Sequence, residues 1–377
     1  MGRGRDELHG AAETGDERVA GVGSRIPVVV VSGLPGSGKT WLIESLLHGV
    51  PAGSVAVIGR AQGSAAASAL YRLGAGPDAA PAGACPCCSL SGELAAALRD
   101  LFMAALQRRI AVPRQVLIET AGRGDPAAIL YSLHHEAFLR ERYFYRGCIT
   151  AVSARARLDD IGLRQAALAD ALVLGPASAG EEGQRSALRA ALEEMNPLAP
   201  CFDADLLPDL AHVLPHDDSA AAASLALAPG GALAKGGTLW SGARAGRLRM
   251  QWSVAVLRLA GHCELTQPQF LRAMDQLQDA CGTRILRLAA VLRLRGEAGA
   301  WELRGVHHQL YWRAAAPEVQ AAHLDEPAAP LAAALSGVES SRLLAVLESS
   351  AVHEFKRQAE SLLKGLRFVA PDTGGPE

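Results

Sequence analysis

The sequence has little surplus charge of either sign, no long apolar run and no cysteine pattern that pairs. Across 377 residues, 37 Lys and Arg stand against 39 Asp and Glu, a formal net charge of −2. No excess of cations is left to neutralise a phosphate backbone, and no dense basic run stands out, which argues against nucleic acid as a partner. No stretch approaches the roughly 20 consecutive apolar residues that cross a bilayer, so no membrane partner is expected. Residues 1–25 are polar, mixed in charge and Gly-rich, unlike a secretory signal, and a cytoplasmic location is the expectation. The seven cysteines are odd in number, and three of them crowd into "GACPCCSL" at 83–90. Crowding of that kind does not suit a disulfide framework, so reduced thiols are expected.

The length invites two domains, each large enough for its own core. Residues 1–25 offer almost nothing to bury and read as a disordered tail. Order begins at "IPVVVVSG", a β-branched run suited to a parallel strand covered on both faces. A Gly-rich turn leads into a helix over 39–48 with Leu42, Ile43, Leu46 and Leu47 on one face, and "SVAVIG" follows as a second strand. The alternation continues with a helix near 92–109, strand 115–119, a helix near 126–139 and strand 147–153. Next come a helix near 160–170, strand 171–175, a helix near 182–194 and a short strand at Cys201. Strands separated by helices imply an α/β domain with a mostly parallel sheet over 26–212.

Residues 213–249 read as an Ala- and Gly-rich linker. A smaller α+β domain over 250–366 opens with strand "QWSVAVLRL". Thr266 and Gln269 form a capping box there, Phe270, Met274, Leu277 and Cys281 share a helical stripe, and Gly282 stops the helix. Strands near 284–294, 300–313 and 341–348 precede a last helix near 350–364, and 367–377 forms a tail. His307 and His308 fall within the 300–313 strand, where alternation sends them to opposite faces.

"GLPGSGKT", Gly33 to Thr40, satisfies G-x-x-x-x-G-K-[ST] after a strand and before a helix. Gly33, Gly36, Ser37 and Gly38 form a loop whose N–H groups face a polyphosphate at the positive end of a helix dipole. Lys39 reaches the β and γ phosphates, and the Thr40 hydroxyl ligates Mg²⁺. In "QVLIETAGRGDP" the strand ends on Glu119, with Gly122 three residues on, much like the D-x-x-G switch of GTPases with Glu for Asp. Glu119 is the first catalytic candidate, holding Mg²⁺ or orienting water, and the Gly122 amide senses the γ-phosphate. The competing role for Glu119 is a helix cap, for which Asp125 before Pro126 is better placed. Arg123 is a candidate for charge stabilisation.

Cys85, Cys87 and Cys88 read as a loop between a strand and a helix beginning near Gly92. Three thiolates suit Zn²⁺ or Cu(I) and leave tetrahedral zinc one ligand short, which favours exchange over scaffolding. A redox role for the trio, or burial as small hydrophobes, is the alternative. Cys148, Cys201, Cys263 and Cys281 fall on strands or an apolar stripe and read as packing residues.

In order and spacing, "GLPGSGKT", "ACPCCSLSGEL", "IETAGRGDP", "ADALVLG" and "MNPLAP" resemble the CobW-like family of P-loop GTPases, relatives of the GTPases that insert nickel into hydrogenase and urease. Residues 250–365 resemble that family's C-terminal domain. The resemblance implies a slow GTPase acting as a metallochaperone: GTP loading arranges the C-x-C-C site to hold Zn²⁺, or Co²⁺ as in relatives serving cobalamin synthesis, and hydrolysis lets the metal pass to a client metalloprotein. Two segments depart from the pattern. "GRAQG", 59–63, stands for the family's N-E-x-G, and "GPAS", 175–178, for its guanine-reading N-K-x-D. A site built to hydrogen-bond its ligand discriminates by about 10⁴–10⁵, so loss of that carboxylate makes ATP admissible beside GTP. Asn196 is the candidate for a remaining guanine contact. A regulator that binds nucleotide without turnover is the competing function.

Overall fold

The computed structural model describes residues 25–48, 50–51, 53–59, 67–71, 86–176, 182–207, 213–214, 254–307, 309–314 and 340–369. The tail at 1–25 and the linker at 213–249 lie almost wholly outside these residues, as does 370–377; Arg367, Phe368 and Val369, expected in the C-terminal tail, instead belong to a strand that pairs antiparallel with Ala260, Leu259 and Arg258.

The first sheet holds β1 (Ile26–Ser32), β2 (Val55–Ile58), β3 (Ala67–Tyr71), β4 (Gln115–Glu119), β5 (Tyr143–Val152), β6 (Ala171–Leu174) and β7 (Cys201–Asp203). Their order is β3-β2-β4-β1-β5-β6-β7, and all the pairings are parallel. The helices are α1 (Lys39–Leu47), α2 (Pro86–Leu106), α3 (Pro126–His135), α4 (Ala137–Arg142), α5 (Asp160–Leu168) and α6 (Glu182–Met195). Successive residues of β1 serve opposite layers, as a pleated strand requires. Val29 and Val31 pack with Leu42, Ile43 and Leu46 of α1. Val28 and Val30 pack with Leu94, Leu98, Ile129 and Leu133 of α2 and α3. Burial on both sides explains why this strand is an unbroken apolar run rather than an alternating one.

Several elements differ from the sequence expectation. Helix α2 begins at Pro86, not near Gly92, because proline suits a first helical position where its missing N–H costs nothing. Cys87 and Cys88 therefore lie on the first turn of α2 rather than on a loop, while Cys85 lies outside the described residues. The helix expected over 126–139 breaks at Glu136, whose extended backbone (φ −73°, ψ 114°) separates α3 from α4. Asp125 caps α3 as expected, accepting from Ala127 N at 2.9 Å.

The second sheet contains β8 (Val254–Gly261), β9 (Ile285–Arg293), β10 (Ala300–Val306), β11 (Gln309–Ala314), β12 (Ser341–Glu348) and β13 (Leu366–Val369) in the order β11-β10-β9-β12-β8-β13. Helices α7 (Gln267–Cys281) and α8 (Val352–Leu362) cover one face. The capping box at Thr266 and Gln269 starts α7, and Gly282 ends it. The strand expected over 300–313 is a hairpin: His307 turns the chain with φ 57°, so strand alternation does not govern it, and His308 lies outside the described residues.

The other face of this sheet rests on the first domain. On β12, Leu343, Ala345 and Leu347 point to α7 and α8, while Leu344 and Val346 meet Ala166, Leu168, Leu188 and Leu192 of α5 and α6. Polar groups cross the same seam. Arg287 pairs with Asp170 at 2.6 Å, and Gln309 Nε2 donates to the Leu130 carbonyl at 3.1 Å. The Asp170 carboxylate also accepts from Tyr145 Oη (2.5 Å) and Cys148 N (2.8 Å).

Candidate functional site

The site forms where β1 and β4, adjacent and parallel, end on the same edge of the sheet. From β1 the chain enters the loop Gly33–Gly38, in which Gly33 (φ 140°), Gly36 (φ 75°) and Gly38 (φ 93°) hold conformations that side chains disfavour. At Gly33 space excludes a side chain as well, since a Cβ there would lie 2.4 Å from both Ala151 O and Ser37 Oγ. Gly38 leads directly into α1, which has no side-chain cap and no acidic residue in its first turn. The positive end of the helix is thus presented to an anion. Lys39 is 9% exposed and folds back across the loop, its Nζ donating to Gly33 O at 2.8 Å and to Leu34 O at 3.0 Å.

From β4 come the acidic group and the glycine. Thr40 Oγ1 donates to Glu119 Oε1 at 3.4 Å, bringing together two residues 79 positions apart. Thr120 fixes their common frame: its N–H donates to Val31 O (2.9 Å) and its hydroxyl to Ser32 Oγ (3.3 Å). Gly122 then lies flat against the phosphate loop, where an added Cβ would stand 2.6 Å from Pro35 Cγ and 2.7 Å from Pro35 N. The backbone at Gly59, opening "GRAQG", closes on Glu119 from the β2 side; the rest of that segment lies outside the described residues.

Other expected site residues lie elsewhere. Asn196 is fully buried, and its Nδ2 donates to Ala166 O (2.9 Å), Ala167 O (3.2 Å) and Ala169 O (3.0 Å). Its Oδ1 accepts from Leu198 N at 3.3 Å, so the amide ties the ends of α5 and α6 together instead of reading a base. Arg123 pairs with Asp159 at 2.9 Å. At the end of β6, Gly175 and Pro176 have no hydrogen-bonding side chain, while 177 and 178 lie outside the described residues. Burial raises the thiol of Cys148 to about 12 and those of Cys201 and Cys281 to about 11, and it raises Cys263 too. Protonated, packed thiols of this kind are poor nucleophiles and poor metal ligands.

Gln165 had no sequence motif to announce it. Its Nε2 donates to Gly122 O (3.2 Å) and Gly124 O (2.8 Å), holding the loop after β4 from α5. With Gly33, Leu34, Ser37, Thr150 and Ser153 it lines a small cavity of about 10 Å³ behind the phosphate loop. The available signal was a glutamine set among Leu163, Ala166 and Ala167, on a helix face that has to be buried.

Residues 27–203 match the family model of the CobW/HypB/UreG nucleotide-binding domain. A curated relative, the zinc chaperone YjiA of Escherichia coli strain K12, is 29% identical over 183 residues, or 47% of this chain and 57% of that protein. The match thus spans little more than half of that relative's length. The fold also superposes on Zn(II)-bound YjiA GTPase from E. coli with a TM-score of 0.61 and 18% identity, covering 90% of this chain and all of that one. A Zn(II)-bound triple mutant of YjiA GTPase gives the same values. The phosphate loop, the Glu119 strand end and the matched span agree: residues 27–203 of this chain are similar to the CobW/HypB/UreG nucleotide-binding domain.

Proposed function

We propose that this protein is a metallochaperone in which slow GTP hydrolysis controls a zinc site made by Cys85, Cys87 and Cys88, from which the metal passes to a client metalloprotein. The observation that carries this reading is the meeting of Thr40 and Glu119 beside Lys39, which assembles the parts of a phosphoryl-transfer centre from two parallel strand ends. Thr40 and Glu119 are adjacent oxygen donors and fit a small hard cation. Mg²⁺ held there neutralises charge on the β and γ phosphates.

The residues divide the work as follows. Lys39 exchanges the carbonyls of Gly33 and Leu34 for phosphate oxygens, so the loop keeps a cation in place before the substrate arrives. Gly36, Ser37 and Gly38 supply the backbone cradle. Glu119 orients the attacking water, and the Gly122 peptide, pressed on Pro35, responds to the γ-phosphate. The thiolates are soft donors suited to Zn²⁺, and three of them leave a position for the client's own ligand. The zinc chaperone relative supports zinc over cobalt as cargo. With Gly175 and Pro176 at the end of β6, the preference for GTP over ATP should be weak.

Hydrolysis of GTP and ATP by the reduced protein, with and without Zn²⁺, tests the reading alongside a Cys87→Ser variant. Metal-dependent turnover in the wild type that disappears in the variant, with nucleotide binding intact, is expected. Turnover indifferent to zinc would overturn the chaperone role, and nucleotide binding without any turnover would favour the regulator.

A further inference from the structure

We propose that α5 relays the state of the C-terminal sheet to the nucleotide centre, with Arg164 and Gln165 as positioning residues for the loop that follows Glu119. The proposal rests on the reading of that loop as nucleotide-sensing, and it assigns the loop a controlling contact outside its own domain.

Three successive contacts pin the loop to this one helix. Arg123 pairs with Asp159, the residue that caps α5 by accepting from Gly162 N at 2.9 Å. Gln165 Nε2 bonds the carbonyls of Gly122 and Gly124. Arg164 Nε bonds Asp125 Oδ2 at 2.8 Å, while Asp125 uses its other oxygen to cap α3. The loop therefore cannot shift toward a phosphate without moving α5 or breaking these contacts.

The same arginine reaches the other domain. Arg164 Nη1 donates to Glu348 Oε1 at the end of β12, a strand within the second sheet. A guanidinium is a planar, rigid fork, so the two carboxylates it spans are held in fixed relation, which a flexible ammonium would not do. Apolar packing supports the relay, since Ala166 and Leu168 of α5 share one buried cluster with Leu344 and Val346 of β12. On the phosphate side, Gln165 Oε1 and Ser37 Oγ are buried without hydrogen-bond partners and line the same cavity. The Gln165 amide is thus half satisfied, and an arrangement in which its oxygen gains a donor is open to it.

The test measures the ratio of affinities for fluorescent GDP and a non-hydrolysable fluorescent GTP analogue in the full chain. Wild type is compared with Glu348→Gln, Arg164→Lys and the double variant. Each single change is expected to alter the ratio about fivefold, with the double no further than either single. Glu348→Gln is nearly isosteric and distant from the phosphate loop, so its effect on the ratio does not arise from misfolding; a purely structural contact would lower the melting temperature and leave the ratio unchanged. Ratios within about twofold of wild type, or additive effects, would overturn the relay while leaving the nucleotide site standing. A wild type that binds neither nucleotide would overturn both readings together.

Discussion

At the scale of single residues, the close approach of Gly122 to Pro35 yields the clearest expectation. An alanine at 122 would drive its Cβ to within 2.6–2.8 Å of Pro35, a contact that includes the Pro35 backbone nitrogen. Overpacking of this kind costs about 1–3 kcal/mol, so Gly122→Ala should weaken GDP binding by about 5- to 160-fold in a fluorescence titration. Unchanged affinity would mean that the two loops are not in contact. His307 sets a second expectation, at the domain seam. Burial and the neighbouring Arg164 lower its folded-state pKa to about 4, against the opposing influence of Asp125 and a hydrogen bond with the Thr283 backbone. The unfolded value is about 6.5, so the unfolded chain binds the proton more tightly. Stability is full above about pH 6.5 and falls as the pH drops toward 4. His307→Asn, which tolerates the positive φ, should flatten melting temperature against pH in that window, and an unaltered slope would refute the assignment.

At the scale of elements, much of the fold was legible because local chemistry and tertiary demand agree. Strand β4 and the α7 capping box lie where alternation and capping rules put them, because the burial that stabilises each one is written in its own residues. Thr266→Ala should accordingly cost about 1 kcal/mol in chemical denaturation, and a shift near zero would mean that the cap is not formed. Strand β3 escaped notice because "ASALY" lacks β-branched residues and takes its place from pairing with β2. The β10–β11 turn was invisible because His307 adopts φ 57° without a Gly or Asn to mark it. The phosphate loop and Glu119 were readable as motifs. The commitment of Asn196 to the α5 and α6 backbone was not, because a buried amide's partners are set by helix packing rather than by neighbours in sequence. Gln165 and Arg164 escaped for the same reason.

At the scale of the whole molecule, the two sheets share a buried seam. Arg287 is buried there, and although burial alone would lower its pKa, the Asp170 carboxylate together with Tyr145 and Cys148 leaves it raised. Removing one partner of a buried pair costs about 3–5 kcal/mol, because the other charge is left uncompensated. Arg287→Met should lower stability by that amount and separate the calorimetric unfolding into two transitions. A single transition at the wild-type temperature would show that the seam contributes nothing.

The account as a whole requires linkage between two sites: what occupies the phosphate loop must change how tightly the cysteines hold metal, and metal must change nucleotide affinity by the same factor. Calorimetric titration of Zn²⁺ into the reduced protein, once loaded with GDP and once with a non-hydrolysable GTP analogue, measures that factor directly. The account predicts dissociation constants that differ by about tenfold or more, with the triphosphate form binding tighter. Equal constants in the two forms would contradict it.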